Sequence, residues 1–336
     1  MTTSELENKP IAARSVPYSR YLRTFGTLIG FLVIVGVFWW QKPTTFMTLG
    51  NWLNITQQVS ILGVVAFAMT VVMVVGDFDL SVGTMASLVG MVIGILFQNG
   101  QPIWVAVAAA LLVGVIGGLI NGVLVSYIGI SAFVATLSTM TIFGGAALYI
   151  SGGSTIFGRA IPESFSAFGN GGIPIGIVNE RSVDLPFLSI ITLITLVVVW
   201  VVLEQTVFGR RLYAIGGNKE ASRLSGVRVR ALRLSTFVVS GLGAAIAGIM
   251  LTSRLASANP KQGDVLMLSA IAAVFLGMTM SEESEPHVLG TLLGVLILGV
   301  LANGLTQMKV DSYIQQILTG VIIVLAVSVS SLSRRS

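Results

Sequence analysis

The sequence predicts an all-α polytopic membrane protein, with about ten transmembrane helices arranged as an inverted repeat. Three observations carry that fold class. The 336 residues are 54% hydrophobic and only 10% charged, with a mean hydropathy of +0.91, and no soluble core of that length leaves so few charges. The apolar residues fall into runs long enough to cross a bilayer, separated by polar breaks. Four landmarks of the first half recur in order in the second, roughly 180 residues further on.

Residues 1–24 read as a polar, basic N-terminal arm with Lys9, Arg14, Arg20 and Arg23. The first apolar run, residues 25–40, ends in Trp39-Trp40, as expected of an interfacial anchor. No small-residue cleavage site follows, so the run is read as a retained helix. Further spans are expected at about 55–75, 81–97, 103–125, 130–150, 186–204, 234–252, 265–280, 288–306 and 313–331. The transmembrane domain thus covers residues 25–331, and 332–336 form a short tail. A Gly-rich loop, 151–185, separates spans five and six, and a basic loop, 205–233, separates spans six and seven.

Ten spans place both termini on one side of the membrane. With the N-terminus inside, the arm, the 205–233 loop and Arg334-Arg335 put thirteen basic residues in the cytoplasm. Six remain outside: Lys42, Arg159, Arg181, Arg254, Lys261 and Lys309. That bias supports an N-in, C-in topology. The loop 281–287, with Glu282, Glu283 and Glu285, runs against it, although acidic residues weigh little in orientation. The net charge of +5 therefore reflects topology and not a nucleic-acid partner. With no cysteine there is no disulfide or thiol chemistry, and one histidine, His287, cannot supply a multi-histidine metal site.

The repeat pairs Val59-Ser60-Ile61-Leu62-Gly63 with Val239-Ser240-Gly241-Leu242-Gly243, and Gly76-Asp77 with Gly263-Asp264. It also pairs Asn121-Gly122 with Asn303-Gly304, and Ser131-Ala132-Phe133-Val134 with Ser312-Tyr313-Ile314. The offsets are 180, 187, 182 and 181 residues. The units are spans 2–5 and 7–10, five helices apart, and an odd separation inverts one against the other, as in many transporters.

Three motifs could carry more than packing. In Gly76-Asp77-Phe78-Asp79-Leu80-Ser81-Val82-Gly83, two carboxylates sit between apolar helices. They suit either a broken helix end at a gate or path or a tight cytoplasmic turn in which Asp79 or Ser81 caps the next helix; the turn is preferred. Gly114, Gly118 and Gly122 have the spacing of close helix packing. Asn121, Asn303, Gln315 and Gln316 are uncharged polar groups within or near spans, suited to a polar path or to interhelical hydrogen bonds. Absences also count. There is no GxxxxGK[ST] loop, so the chain does not bind ATP by that route, and no HExxH or GxSxG motif supports an intramembrane enzyme or a cofactor. The central parts of the spans lack ionisable residues, which weakens a proton-driven carrier.

The basic loop holds seven of the nineteen Lys and Arg residues and a short helical pattern. Asn218 is a good N-cap and Glu220 falls in the first turn, where a negative charge suits the helix dipole. Ala221, Leu224 and Val227 form a small apolar stripe. Gly216-Gly217 offer flexible mounts and Gly226 a stop. Such a helix is either a docking surface for a partner or a loop helix lying on lipid headgroups.

At these residues the chain, from about 25 to 331, resembles the membrane permeases of bacterial ABC sugar importers, the ribose, xylose and arabinose permease family. The motifs are GDFDLSVG at 76–83, LINGVLV at 119–125, FGRRLYAIGGNKEASRLSGV at 208–227 and GTLLGVLILGVLANGL at 290–305. The resemblance implies a bacterial inner-membrane protein that moves a sugar or sugar-like polyol. Its implied partners are a second permease copy, a cytoplasmic ABC ATPase that hydrolyses ATP and a periplasmic sugar-binding protein. It also implies that Asn218 to Gly226 is the element coupled to the ATPase, with Ser222 where the usual Glu-Ala-Ala pattern has a second Ala. Where relatives carry an acidic pair and a Gly-rich turn, this chain has Met267, Ser269 and Ser281-Glu282-Glu283-Ser284-Glu285-Pro286. The loop 151–185, with Arg159, Glu163, Glu180, Arg181 and Asp184, could offer charged contacts to a binding protein, although a passive connector is preferred. The alternative function is a stand-alone secondary carrier or facilitator for a small polar solute.

Overall fold

The computed structural model describes residues 18–178, 181–281 and 285–333. The arm up to residue 17, Glu180, the glutamates at 282 and 283, and the tail from 334 lie outside the described residues. Ten long helices fall where the apolar runs predict them: α1 (Tyr18–Gln41), α2 (Leu49–Val74), α3 (Val82–Gln98), α4 (Ile103–Val123), α5 (Ala132–Ser151), α7 (Phe187–Trp200), α10 (Val229–Leu255), α11 (Asp264–Met278), α12 (Val288–Gln307) and α13 (Ser312–Ser333). Three short helices, α6 (Glu163–Asn170), α8 (Val207–Gly217) and α9 (Lys219–Leu224), fill two of the loops. Helices α4 and α7 continue through π-helical turns at Leu124–Ile128 and Val201–Gln205.

Among the described residues, six helices are long and apolar enough to cross a membrane: 49–74, 103–128, 132–151, 187–205, 229–255 and 288–307. Of these, α2 is buried along most of its length, whereas α4, α5 and α7 are buried along less than a third of theirs. An apolar helix on the outside of the bundle is what lipid as a solvent permits. The expectation of ten full spans needs correcting at α3 and α11. They have 17 and 15 residues, only ~22–26 Å at 1.5 Å per residue against a hydrocarbon core of about 30 Å.

The shortfall has a geometric cause. Helices α2 and α10 run antiparallel, with Gly243 against Ala68 and the Arg254 guanidinium donating to the Gln57 carbonyl. After α2 the chain turns back into the bundle through residues 76–81, and after α10 it does so from the opposite end through 256–263. Each re-entrant segment takes up depth that a full helix would otherwise span. Helices α3 and α11 then start inside the bundle with their first turns touching. A Cβ added at Gly263 would lie 2.3 Å from the Gly83 carbonyl oxygen, and one at Gly83 2.7 Å from the Gly263 carbonyl oxygen.

The two halves repeat this arrangement. Helix α10 packs on α3 and α4 as α2 packs on α11 and α12, and α3 packs on α5 as α11 packs on α13. The reciprocal Gly83–Gly263 contact corrects one landmark: Gly263 answers Gly83 at an offset of 180 residues and not Gly76 at 187. The glycine stripe of α4 lies on α10 as its spacing predicts. A Cβ at Gly114 would come within 2.5 Å of the Gly241 carbonyl, and one at Gly118 within 2.4 Å of the Phe237 carbonyl.

The Gly-rich loop is folded. It carries β1 (Ile156–Phe157), α6 and a hairpin of β2 (Gly172–Val178) and β3 (Arg181–Pro186). Strand β1 pairs with β4 (Ser257–Ala258) of the second re-entrant segment. Asn259 adds a 2.8 Å bond to the Thr155 hydroxyl, and Asn170 donates to the Arg254 carbonyl at 3.1 Å. A glycine-rich composition allowed this compact cap because Gly169 approaches the α10 backbone where a Cβ would clash at 2.5 Å.

Candidate functional site

The first re-entrant segment carries two buried carboxylates. Asp77 is clamped by Arg233 of α10, whose Nη2 donates to Oδ1 at 2.5 Å and whose Nε donates to Oδ2. The same guanidinium reaches the Val125 carbonyl at 3.2 Å. Asp79 accepts from the Ser81 backbone N–H at 2.9 Å, the Ser81 hydroxyl at 2.6 Å and the Ser240 hydroxyl at 2.7 Å. Asn121 of α4 donates to the Ser81 hydroxyl at 2.8 Å and accepts from Thr139 of α5 at 2.6 Å. One network therefore joins the segment to α4, α5 and α10. Both carboxylates of this turn are buried, which a charge tolerates only with this many donors.

The sequence-selected residues divide between the two ends of the bundle. Asp77, Asp79 and Asn121 come together. Asn303 lies at the opposite end, where Gln307 links it to Asn51 through two 2.9 Å bonds. Gln315 stands apart and donates to the Val310 carbonyl at 2.9 Å. Sequence reasoning missed Arg233, Ser240 and Thr139. Arg233 was nonetheless findable, being the last cation before span seven and the obvious partner for a carboxylate taken into the membrane.

The second re-entrant segment leads to an ionisable residue at the first position of α11. Gly263 donates its N–H to the Ser87 hydroxyl at 2.9 Å and lies against Ala86, which in turn faces Gly248 of α10. That level is about two turns inside the end of α10. The next residue, Asp264, is therefore well inside the bundle, and it is exposed on the bundle face.

At the end near Asp77, α9 is held from below and uncovered above. Asn218 caps it, its Oδ1 accepting from the Ala221 N–H at 2.9 Å. Gly226 ends it at φ 80°, with the Val227 N–H returning to the Ser222 carbonyl at 3.1 Å. Ser222, the departure from the Ala pattern, is buried and bonds the Ala214 carbonyl of α8 at 2.8 Å. Gly216 is not a flexible mount, since a Cβ there would meet the Val74 carbonyl at 2.0 Å and α8 rests directly on the end of α2. The apolar stripe is split: Val227 is half-buried against α8 and α10, whereas Ala221 is exposed and Leu224 is 73% exposed. Arg223 donates to both oxygens of Glu220 and holds its carboxyl below the usual range. Tyr213 fixes the far side of α8, donating to Glu204 and to the Pro286 carbonyl at 3.1 Å each. Burial, and then the Glu204 carboxylate, push its phenol up.

Inverted halves, paired re-entrant segments and a short helix presented at one end define a polytopic transport subunit. Residues 51–327 match the family described as branched-chain amino acid transport system / permease component. The ribose import permease protein RbsC of Bacillus subtilis is 35% identical over 97% of this chain and 98% of its own length. RbsC of Escherichia coli K12 is 38% identical over 91% and 92%. The galactose/methyl galactoside import permease MglC of the same organism is 33% identical over 93% and 95%. A metal-chelate type ABC transporter solved in an inward-facing conformation shares the fold, with a TM-score of 0.51 and 14% identity over 90% of this chain and 96% of that one. The chain belongs to this permease family, that of the ABC importers, and is a multi-pass protein of the bacterial inner membrane.

Proposed function

We propose that the chain is the membrane-spanning subunit of an ATP-driven importer for a sugar or sugar-like polyol. It works with a second permease copy, a cytoplasmic ABC ATPase and a periplasmic sugar-binding protein, with both termini in the cytoplasm. The observation that carries this reading is α9. A helix of six residues is too short to stand alone, yet it is braced on α8 and α2 while Leu224 stays uncovered. A groove on another protein is the natural cover for such a side chain. ATP binding in the partner would move α9 with α8, and the inverted halves would rock between outward-open and inward-open states. The folded cap over residues 151–186 would meet the binding protein through the exposed Arg159, Glu163 and Asp184.

The test is uptake into proteoliposomes containing the chain with its partner ATPase and sugar-binding protein. Uptake of labelled ribose, galactose or allose should require ATP and both partners. Uptake by the chain alone, without ATP, would sink the importer reading and favour a stand-alone carrier.

A further inference from the structure

Where α3, α5 and α11 meet, a cavity of about 220 Å³ is lined by Leu80, Gly83, Thr84, Met140, Asp264 and Met267. Its position follows from the Gly83–Gly263 contact, so it lies at that depth of the bundle and opens on the face where Asp264 is exposed. Asp264 is its charged member. Among the described residues no hydrogen bond or ion pair reaches that carboxylate, and the charge acting on it is that of Lys261 one turn back. The carboxylates of the first re-entrant segment, Asp77 and Asp79, are by contrast engaged by Arg233, Ser81 and Ser240.

An ionised group at such depth is costly unless water or a ligand meets it. Facing lipid, Asp264 would have neither. The volume corresponds to about seven waters at ~30 Å³ each, enough for one small, hydroxyl-bearing molecule. A carboxylate accepts through both oxygens, and neighbouring hydroxyls on a polyol donate to it as a pair. The remaining lining offers the Thr84 hydroxyl as a second polar group and Leu80, Met140 and Met267 for carbon faces, the usual mix of a few polar groups in an apolar wall.

We infer that Asp264 faces an aqueous cavity at membrane depth and binds the transported polyol there through its hydroxyls. The inference rests on the importer reading for its ligand class and on the structure for its place. The chain contains no cysteine of its own, so Asp264→Cys can be probed in the full chain in membrane vesicles with a charged, membrane-impermeant methanethiosulfonate. Asp264→Cys should react at a rate near that of Ser154→Cys in the outer cap, and far faster than Leu193→Cys on the exposed flank of α7. Ribose, galactose or allose should slow that reaction, and sodium ions should not. In the assembled transporter, Asp264→Asn should lower uptake about ten- to a hundredfold, the range of a hydrogen bond to a charged group, while ATPase co-purification stays unchanged.

Labelling no faster than Leu193→Cys would overturn the aqueous placement. Labelling slowed by sodium or by a proton gradient and by none of the three sugars would overturn the ligand class. Wild-type uptake by Asp264→Asn would overturn the binding role. The importer reading fails separately, on ATP-independent uptake by the wild-type chain, and the labelling experiment uses no ATP.

Discussion

The two re-entrant segments occupy equivalent places in the inverted halves but hold their charges in opposite ways. In residues 76–81 both carboxylates are sealed, Asp77 by a guanidinium and Asp79 by three donors. Residues 256–263 are held by neutral bonds, through β4, Asn259 and Gln262, and release an unsealed carboxylate at Asp264. A shared topology has therefore been filled with two chemistries. The sealed segment is tied to the end that carries α8 and α9, through Arg233 near the start of α10. The open one is tied to the cap at the other end. Charge serves fixation in one half and is left available in the other.

Removing the seal should give the largest effect. Arg233→Leu strands a buried Asp77 and is expected to cost about 3–5 kcal/mol, read as thermal unfolding in detergent. Adding Asp77→Asn to the same chain should recover much of that loss, because the stranded charge is what destabilises; no recovery would mean that Arg233 acts through packing alone. Next comes the partner contact beyond the seal. Leu224→Ala should weaken ATPase co-purification by about 1.5–3 kcal/mol if the partner covers the side chain fully, and undiminished co-purification would return α9 to the headgroup surface.

The neutral segment should yield less. Asn259→Ala removes the bond to Thr155 of the cap and the one its Oδ1 accepts from the Lys261 N–H, and is expected to cost about 1–3 kcal/mol at ~0.5–1.5 kcal/mol each. A loss as large as that of Arg233→Leu would erase the contrast between the halves. The smallest effect belongs to Glu220→Gln. Because Arg223 depresses the Glu220 carboxyl, its contribution to α9 is present above the ordinary carboxylate range and is lost as pH falls through the depressed value. Amide exchange across 221–226 should separate wild type from Glu220→Gln at neutral pH and converge in acid. A difference that persists in acid would assign the effect to something other than that ion pair.

Much of this was legible in the chain. The apolar runs located the long helices, the Gly114, Gly118 and Gly122 spacing identified the α4 face that meets α10, and Asn218 and Gly226 marked the limits of α9. Depth was not legible. An apolar run looks alike whether the helix crosses the bilayer or begins within it, so Asp79 and Asp264 read as loop residues beside their spans. The register of one landmark failed for a related reason. Gly76-Asp77 and Gly263-Asp264 match in identity, but the residues that each segment spends before its helix differ in number, and only the packing of Gly83 on Gly263 fixes the correspondence. Nor could periodicity show which face of α9 is anchored, since that is decided by the Ser222 hydroxyl reaching the Ala214 carbonyl.

The Gly83–Gly263 contact has a consequence for how the chain can change over time. It is the point at which the duplicated halves meet at equivalent positions, each backbone filling the space that a side chain on the other would need. Elsewhere one half can drift while its counterpart stays as it was, as the unlike charges of the two segments illustrate. Here neither residue can gain even a methyl group unless the opposing backbone withdraws. At this position a side chain added to one half has room only if the other half gives way.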